Sequence, residues 1–137
     1  MSGRARIVNP VELGAPRGFS HGILVPAGSR LLFVAGQVGS DATGSVIAGG
    51  FVAQFERALG NVLAVVEAAG GTATDVVRLT LYVTDCGEYL ADLGAVGVAY
   101  RRRMGRHYPA MTLVEVTRLV EPGACVELEA TAALPPE

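Results

Sequence analysis

The sequence predicts an α+β fold, a β-sheet carrying two helices on one face. Three observations predict it. Predicted elements follow the order strands, helix, strand, helix, two strands. A 3.6-residue stripe from Phe51 to Ala69 is unmistakably helical, and Val76 to Thr84 alternates with period two. At 137 residues the chain is the size of one domain, and residues 1–137 are read as a single unit.

Ile7–Val8 begins a short strand. Ser20–Val25 and Leu31–Val38 read as strands joined by the turn Pro26-Ala27-Gly28-Ser29. Ser40–Gly50 is a loop punctuated by Gly44, Gly49 and Gly50. In the first helix Val52, Phe55, Leu59, Val62, Leu63 and Val66 form the apolar stripe. Gln54, Arg57, Asn61 and Glu67 fall largely outside it, and Gly70-Gly71 supplies the stop. In the next strand Val77, Leu79, Leu81 and Val83 face one way, and Arg78, Thr80, Tyr82 and Thr84 the other. Asp85 and Glu88 have capping-box spacing for a second helix, whose stripe is Tyr89, Leu93, Val96 and Tyr100. Strands near Met111–Thr117 and Cys125–Ala132 end the fold, linked by Glu121-Pro122-Gly123.

Composition removes several function classes. Half of the residues are hydrophobic and 18% are charged, which excludes a disordered chain. A net charge of −2 provides no field to hold nucleic acid or an anionic membrane. No run approaches the ~20 apolar residues of a membrane span. Met1 to Arg6 is basic but precedes no apolar segment, so no secretion signal is read and a cytoplasmic location is expected. Cys86 and Cys125 form neither a CxxC nor a zinc spacing. All eleven cations are arginine, so no side-chain amine exists for Schiff-base chemistry.

If both helices cover one face, Phe33, Tyr82, Leu113, Cys125 and Glu127 remain on the other. That set is too apolar for a wet face and too polar for a dry core. A subunit interface enclosing a small wet cleft reconciles the two, in a dimer or another closed ring.

The chain resembles the RidA/YjgF family of small trimeric proteins. The resemblance rests on Gly18-Phe19-Ser20-His21-Gly22, Leu32 to Val38 (LFVAGQV) and Ala64 to Gly70 (AVVEAAG). It continues through Asp75 to Asp85 (DVVRLTLYVTD), Pro109 to Val116 (PAMTLVEV) and Val126 to Ala130 (VELEA), over nearly the whole chain. It implies a chorismate-mutase-like mixed sheet with two helices packed on one face, a homotrimer, and three clefts between subunits. It implies hydrolysis of 2-imino or enamine acids to 2-keto acids and ammonia, with no metal or organic cofactor. In that chemistry an arginine fork grips the substrate carboxylate, and a carboxylate moves protons through a water.

The sequence departs from the family at the cleft. Met111 stands where the family has its carboxylate-binding arginine, Phe19 where it has a tyrosine, Ala35 a serine and Gly94 an asparagine. Glu127 keeps the acid of the last strand and is the catalytic candidate; Glu129 is read as structural. Phe19, His21, Ala35, Tyr89, Gly94, Met111 and Thr112 are the expected binding residues. Arg17 and the group Arg101, Arg102, Arg103 and Arg106 are candidates for a replacement cation, although a basic helix end also suits the helix dipole without any ligand. Arg118 matches an arginine outside the family pocket.

Three readings follow. One is a trimer whose clefts take a metabolite larger or more apolar than the usual imino acids, acting on a C=N or related carbonyl-type bond. Another is the 2-iminobutanoate/2-iminopropanoate deaminase with a relocated arginine. The last is a non-enzymatic sensor or interaction protein. The old endoribonuclease label of some members finds no support in an acidic chain with 6% aromatics and no tryptophan.

Overall fold

The computed structural model describes residues 4–137. A four-stranded sheet contains β3 (Arg30–Val38), β4 (Val76–Val83), β5 (Ala110–Glu115) and β6 (Val126–Leu134) in the order β3-β6-β4-β5. β6 lies antiparallel to both β3 and β4, while β4 and β5 are parallel. β3, β4 and β5 therefore point the same way. Parallel strands need long crossovers, and α1 (Gly50–Ala68) provides the first. The second contains α2 (Cys86–Ala91) and α3 (Leu93–Met104). The mixed α+β sheet is as expected, but with three helices. Asp92, at φ −145° and ψ 60°, interrupts the expected second helix and caps its continuation by accepting from the Ala95 N–H at 3.2 Å. Asp85 caps α2 through the Gly87 N–H at 2.7 Å rather than in a reciprocal box with Glu88.

β1 (Arg6–Val8) and β2 (Gly22–Leu24) pair with each other outside the main sheet. The turn Pro26–Ser29 thus joins strands of different sheets instead of closing a hairpin. Ser20 instead makes an isolated parallel bridge to Ala110 beside β5.

The core lies between α1, α3 and the inner face of the sheet. Phe55, Leu59, Val62 and Val66 of α1 meet Leu79 and Val83 of β4 and Val126 and Leu128 of β6, all fully buried. β6 alternates buried and half-buried along its whole length. β4 does not, because a bulge at Val76–Arg78 shifts its register against β6. Val76 is consequently in the core and Val77 is not, which corrects the simple alternation. At the end of α1, Gly70 has φ +89° and the Gly71 N–H reaches Val66 O at 2.9 Å, closing the helix as its sequence predicts.

Two polar residues expected on the outside of α1 are structural clamps. Gln54 is buried; its Nε2 donates to Gly123 O at 3.1 Å and its Oε1 accepts from the Cys125 N–H at 2.9 Å. Two turns along, Asn61 Nδ2 donates to Val38 O and Ser40 O, both at 3.0 Å. One helix thereby holds the end of β3 and the approach to β6. No helix among the described residues is long and apolar enough to cross a membrane.

Candidate functional site

A cavity of about 300 Å³ opens on the helix side of the sheet, between α1, α2–α3 and β4–β5. Leu93, Val96, Gly97, Tyr100 and Arg101 of α3 all line it. Their spacing i, i+3, i+4, i+7, i+8 is one helix face. Phe55, Leu81, Val96 and Tyr100, all buried, form its inner end, and Met111 and Tyr89 are half-buried beside them. Gly18, Leu93 and Arg101 are exposed and mark the mouth. Tyr89 packs edge-on against Phe51 at 6.3 Å, and Tyr100 stacks on Tyr108 at 5.4 Å and 7°. Burial, reinforced by Tyr108, pushes the Tyr100 hydroxyl well above the ordinary tyrosine range. It donates to His107 O and is held protonated.

The triple arginine splits. Glu56 holds Arg102 at 3.2 Å and Arg103 at 3.7 Å. Arg101 makes no ion pair among the described residues. Its guanidinium folds back over Gly97, so close that a Cβ there would stand 3.1 Å from Nη1. Arg17 and Arg106 are exposed and do not line the cavity.

The opposite face of the sheet carries the second group. Glu127 is half-buried and stands in register with Tyr82 on one side and Val38 on the other. A register shift between Val34 and Gln37 brings Gly36 against it. A Cβ on Gly36 would run into Glu127 Oε2 and stand 2.9 Å from its Cδ. A side chain at position 36 would therefore push this carboxylate out of its observed place. Glu129 is occupied, since Tyr82 Oη donates to its Oε1 at 2.7 Å. That bond is the first cause holding the Tyr82 hydroxyl above its ordinary pKa, followed by burial and the Glu129 charge. Phe33, 73% exposed, lies on the same face, as does Thr112, in register with Thr80.

The expected site residues divide accordingly. Met111 and Tyr89 line the helix-side cavity. Glu127, Ala35 and Thr112 belong to the open side or to β3's bulged edge. Gly94 sits exposed on the first turn of α3 with open space around it, next to the lining residue Leu93. Phe19 stacks edge-on to His21 at 5.2 Å, next to the cavity residue Gly18. His21 serves its loop: its backbone N–H donates to Asn9 Oδ1 at 2.8 Å and its Nε2 lies 3.2 Å from Gly14 O. Two expectations need correction. Leu113 is in register with Leu81 and packs on the helix side, and Cys125 precedes β6 and packs against the core. Burial, then the Glu88 charge, raises the Cys125 thiol pKa, as for an inert thiol.

A larger cavity of about 590 Å³ lies between the β1–β2 ribbon and the ends of β4 and β6. Two of its polar side chains are committed, since Asp75 Oδ2 accepts from the Thr72 N–H at 2.8 Å and His107 Nε2 lies 2.6 Å from Val76 O, while Arg4, at its edge, makes no ion pair among the described residues. The smaller cavity brings two of the expected site residues, Tyr89 and Met111, together with the unpaired Arg101 and is the better candidate.

A family model described as Endoribonuclease L-PSP matches residues 11–134. The chain belongs to the RidA/YjgF family. This RidA/YjgF member is 32% identical over 133 residues to the 2-iminobutanoate/2-iminopropanoate deaminase of Capra hircus, covering 96% of this chain and 91% of that one. Among solved structures it is similar to a protein of unknown function of the conserved Rid family, YyfB from Yersinia pestis. That match has a TM-score of 0.83 and 34% identity over 96% of this chain and 99% of the other. E. coli TdcF, solved with bound serine, matches with a TM-score of 0.65 and 31% identity over 88% and 91% of the two chains. The resemblance first drawn from short motifs is thus a family membership, and the YjgF-type fold comes with it.

Proposed function

We propose that this RidA/YjgF member is a cofactor-free hydrolase of a C=N bond in a small, comparatively apolar imine or enamine acid, working as a homotrimer in clefts between subunits. The observation that carries the reading is the division of the site across the sheet. A ligand against Met111 and Tyr89 is separated from its own chain's Glu127 by the sheet itself. A second copy laid with its cavity mouth over the open face would receive Glu127 from the chain beneath it. The open face has the composition for that role, with Phe33 and Leu31 more than half exposed beside half-buried Tyr82 and Glu127.

The chemistry needs one proton-transfer group. Glu127 takes a proton from water as the oxygen adds to the imine carbon and returns it to the nitrogen, giving the carbinolamine. In the collapse the same carboxylate takes the hydroxyl proton and delivers it to the departing nitrogen, so the carbonyl compound and ammonia leave and the carboxylate is unchanged. The absence of lysine leaves no Schiff-base route through a side-chain amine. The reading includes a cytoplasmic setting and no nucleic-acid or membrane partner. The relatives support the substrate class, one being named an imine deaminase and another solved with an amino acid bound.

The test generates 2-iminopropanoate and a branched-chain imino acid in situ and follows their decay with and without protein. Acceleration of the branched imine, abolished by Glu127→Gln, is expected. No acceleration of either removes the hydrolase reading and leaves the sensor. Light scattering should return three times the 14.1 kDa chain mass, and a species of 14.1 kDa contradicts the shared-cleft reading.

A further inference from the structure

We propose that Arg101 is the anion-binding residue of this chain, and that it reverses the polarity of the cavity. The inner end is apolar, built from Phe55, Leu81, Val96 and Met111. Among the described residues, the one cation lining it is Arg101 of α3, exposed at the mouth. A ligand therefore enters with its apolar body first and leaves its carboxylate at the guanidinium.

Three observations converge on Arg101. It lies on the helix face that lines the cavity rather than on the solvated face. Its two neighbours share Glu56 as an ion-pair partner, whereas it has no carboxylate partner among the described residues. Gly97 supplies the room in which the guanidinium lies, because any larger residue would press on Nη1. A free planar fork at an apolar cavity is suited to a bidentate carboxylate. The thioether of Met111 offers no donor. The volume of about 300 Å³ and the aromatic and branched lining favour a long or aromatic side chain over a methyl group. The ligand class is then a 2-imino acid, or its 2-oxo acid product, bearing a branched aliphatic or aromatic side chain. This assignment rests on the proposal that the cavity is the binding half of the site; it does not require turnover.

Stable 2-oxo acids separate the two. Binding of 4-methyl-2-oxopentanoate, phenylpyruvate and pyruvate is measured by calorimetry on the purified protein, at fixed protein concentration, with Arg101→Gln and Arg101→Lys. The wild-type chain is expected to bind 4-methyl-2-oxopentanoate or phenylpyruvate at least tenfold more tightly than pyruvate. Arg101→Gln should lose at least tenfold for that larger acid, leave the corresponding neutral amide unaffected, and retain wild-type thermal stability. Arg101→Lys should recover only part of the loss, since it keeps the charge without the fork. Met111→Arg should move the preference toward pyruvate. A loss below tenfold in Arg101→Gln, or no wild-type binding of any of the acids, overturns the assignment. Arg101-dependent binding without imine turnover would remove the hydrolase reading alone. Imine turnover untouched by Arg101→Gln would remove this one alone.

Discussion

Replacing Gln54 with leucine tests whether α1 fixes the approach to the strand that carries Glu127. Gln54 is 7% exposed, and its amide bridges Gly123 O and the Cys125 N–H. Leucine is close in size and offers neither bond. Gly123 is exposed, so its carbonyl turns to water and the loss there is one net hydrogen bond, about 0.5–1.5 kcal/mol. Cys125 is half-buried, and stranding its N–H costs about 1–3 kcal/mol. The apolar surface that leucine buries in place of the amide offsets about 1 kcal/mol. The net expectation is a destabilisation of about 0.5–3.5 kcal/mol. Urea unfolding measures it, at one protein concentration so that any assembly contributes equally. The midpoint should fall with an unchanged slope, and the thermal midpoint should drop by about 3–5 °C per kcal/mol for a domain of this size. Glu127 lies two residues beyond Cys125, so imine turnover should fall as well. A Gln54→Leu protein within about 0.5 kcal/mol of wild type would refute the clamp.

Gly36→Ala should leave the far-ultraviolet circular dichroism intact while displacing the Glu127 carboxylate, so turnover and any Glu127-dependent ligand affinity should drop at least tenfold; wild-type activity in this variant would separate Glu127's observed position from its proposed role. Gly94→Ala should raise stability by about 0.5–1 kcal/mol in a thermal melt, because the site is helical and nothing stands near the added methyl. Alkaline titration of tyrosinate absorbance should resolve Tyr82 and Tyr100 above the ordinary value of about 10, from the Glu129 hydrogen bond and from burial respectively. Their raised folded-state pKa contributes stability that is full below the unfolded value and is lost as pH rises through the folded one. Four tyrosines ionising together near pH 10 in the folded protein would contradict both environments.

Several elements were legible because their signal is local. The α1 stripe runs over enough residues to be read from the chain alone, and the Gly70-Gly71 stop lies next to it in sequence. The errors arose where a partner element decides. Gln54 was read as outward because an amide is polar, yet two backbone groups from the 123–125 segment satisfy it inside. Strict alternation sets Val77 on one face with Leu79, Leu81 and Val83, because it carries no information about a bulge. The arginine run was visible, but its division into two paired cations and one facing a cavity depends on Glu56 of another helix. The spacing from Leu93 to Arg101 was the available signal, and it becomes meaningful only once that face is seen to cover a hollow.

By itself the sequence determined the kind of fold and the family, since periodicity and residue identity travel with the chain. Tertiary structure alone decided which side of the sheet each site residue occupies, because β-bulges and strand pairing reset the pleat. It also decided that Arg101 stands at the cavity holding Met111, since the packing of α3 on the sheet sets which helix face meets that strand.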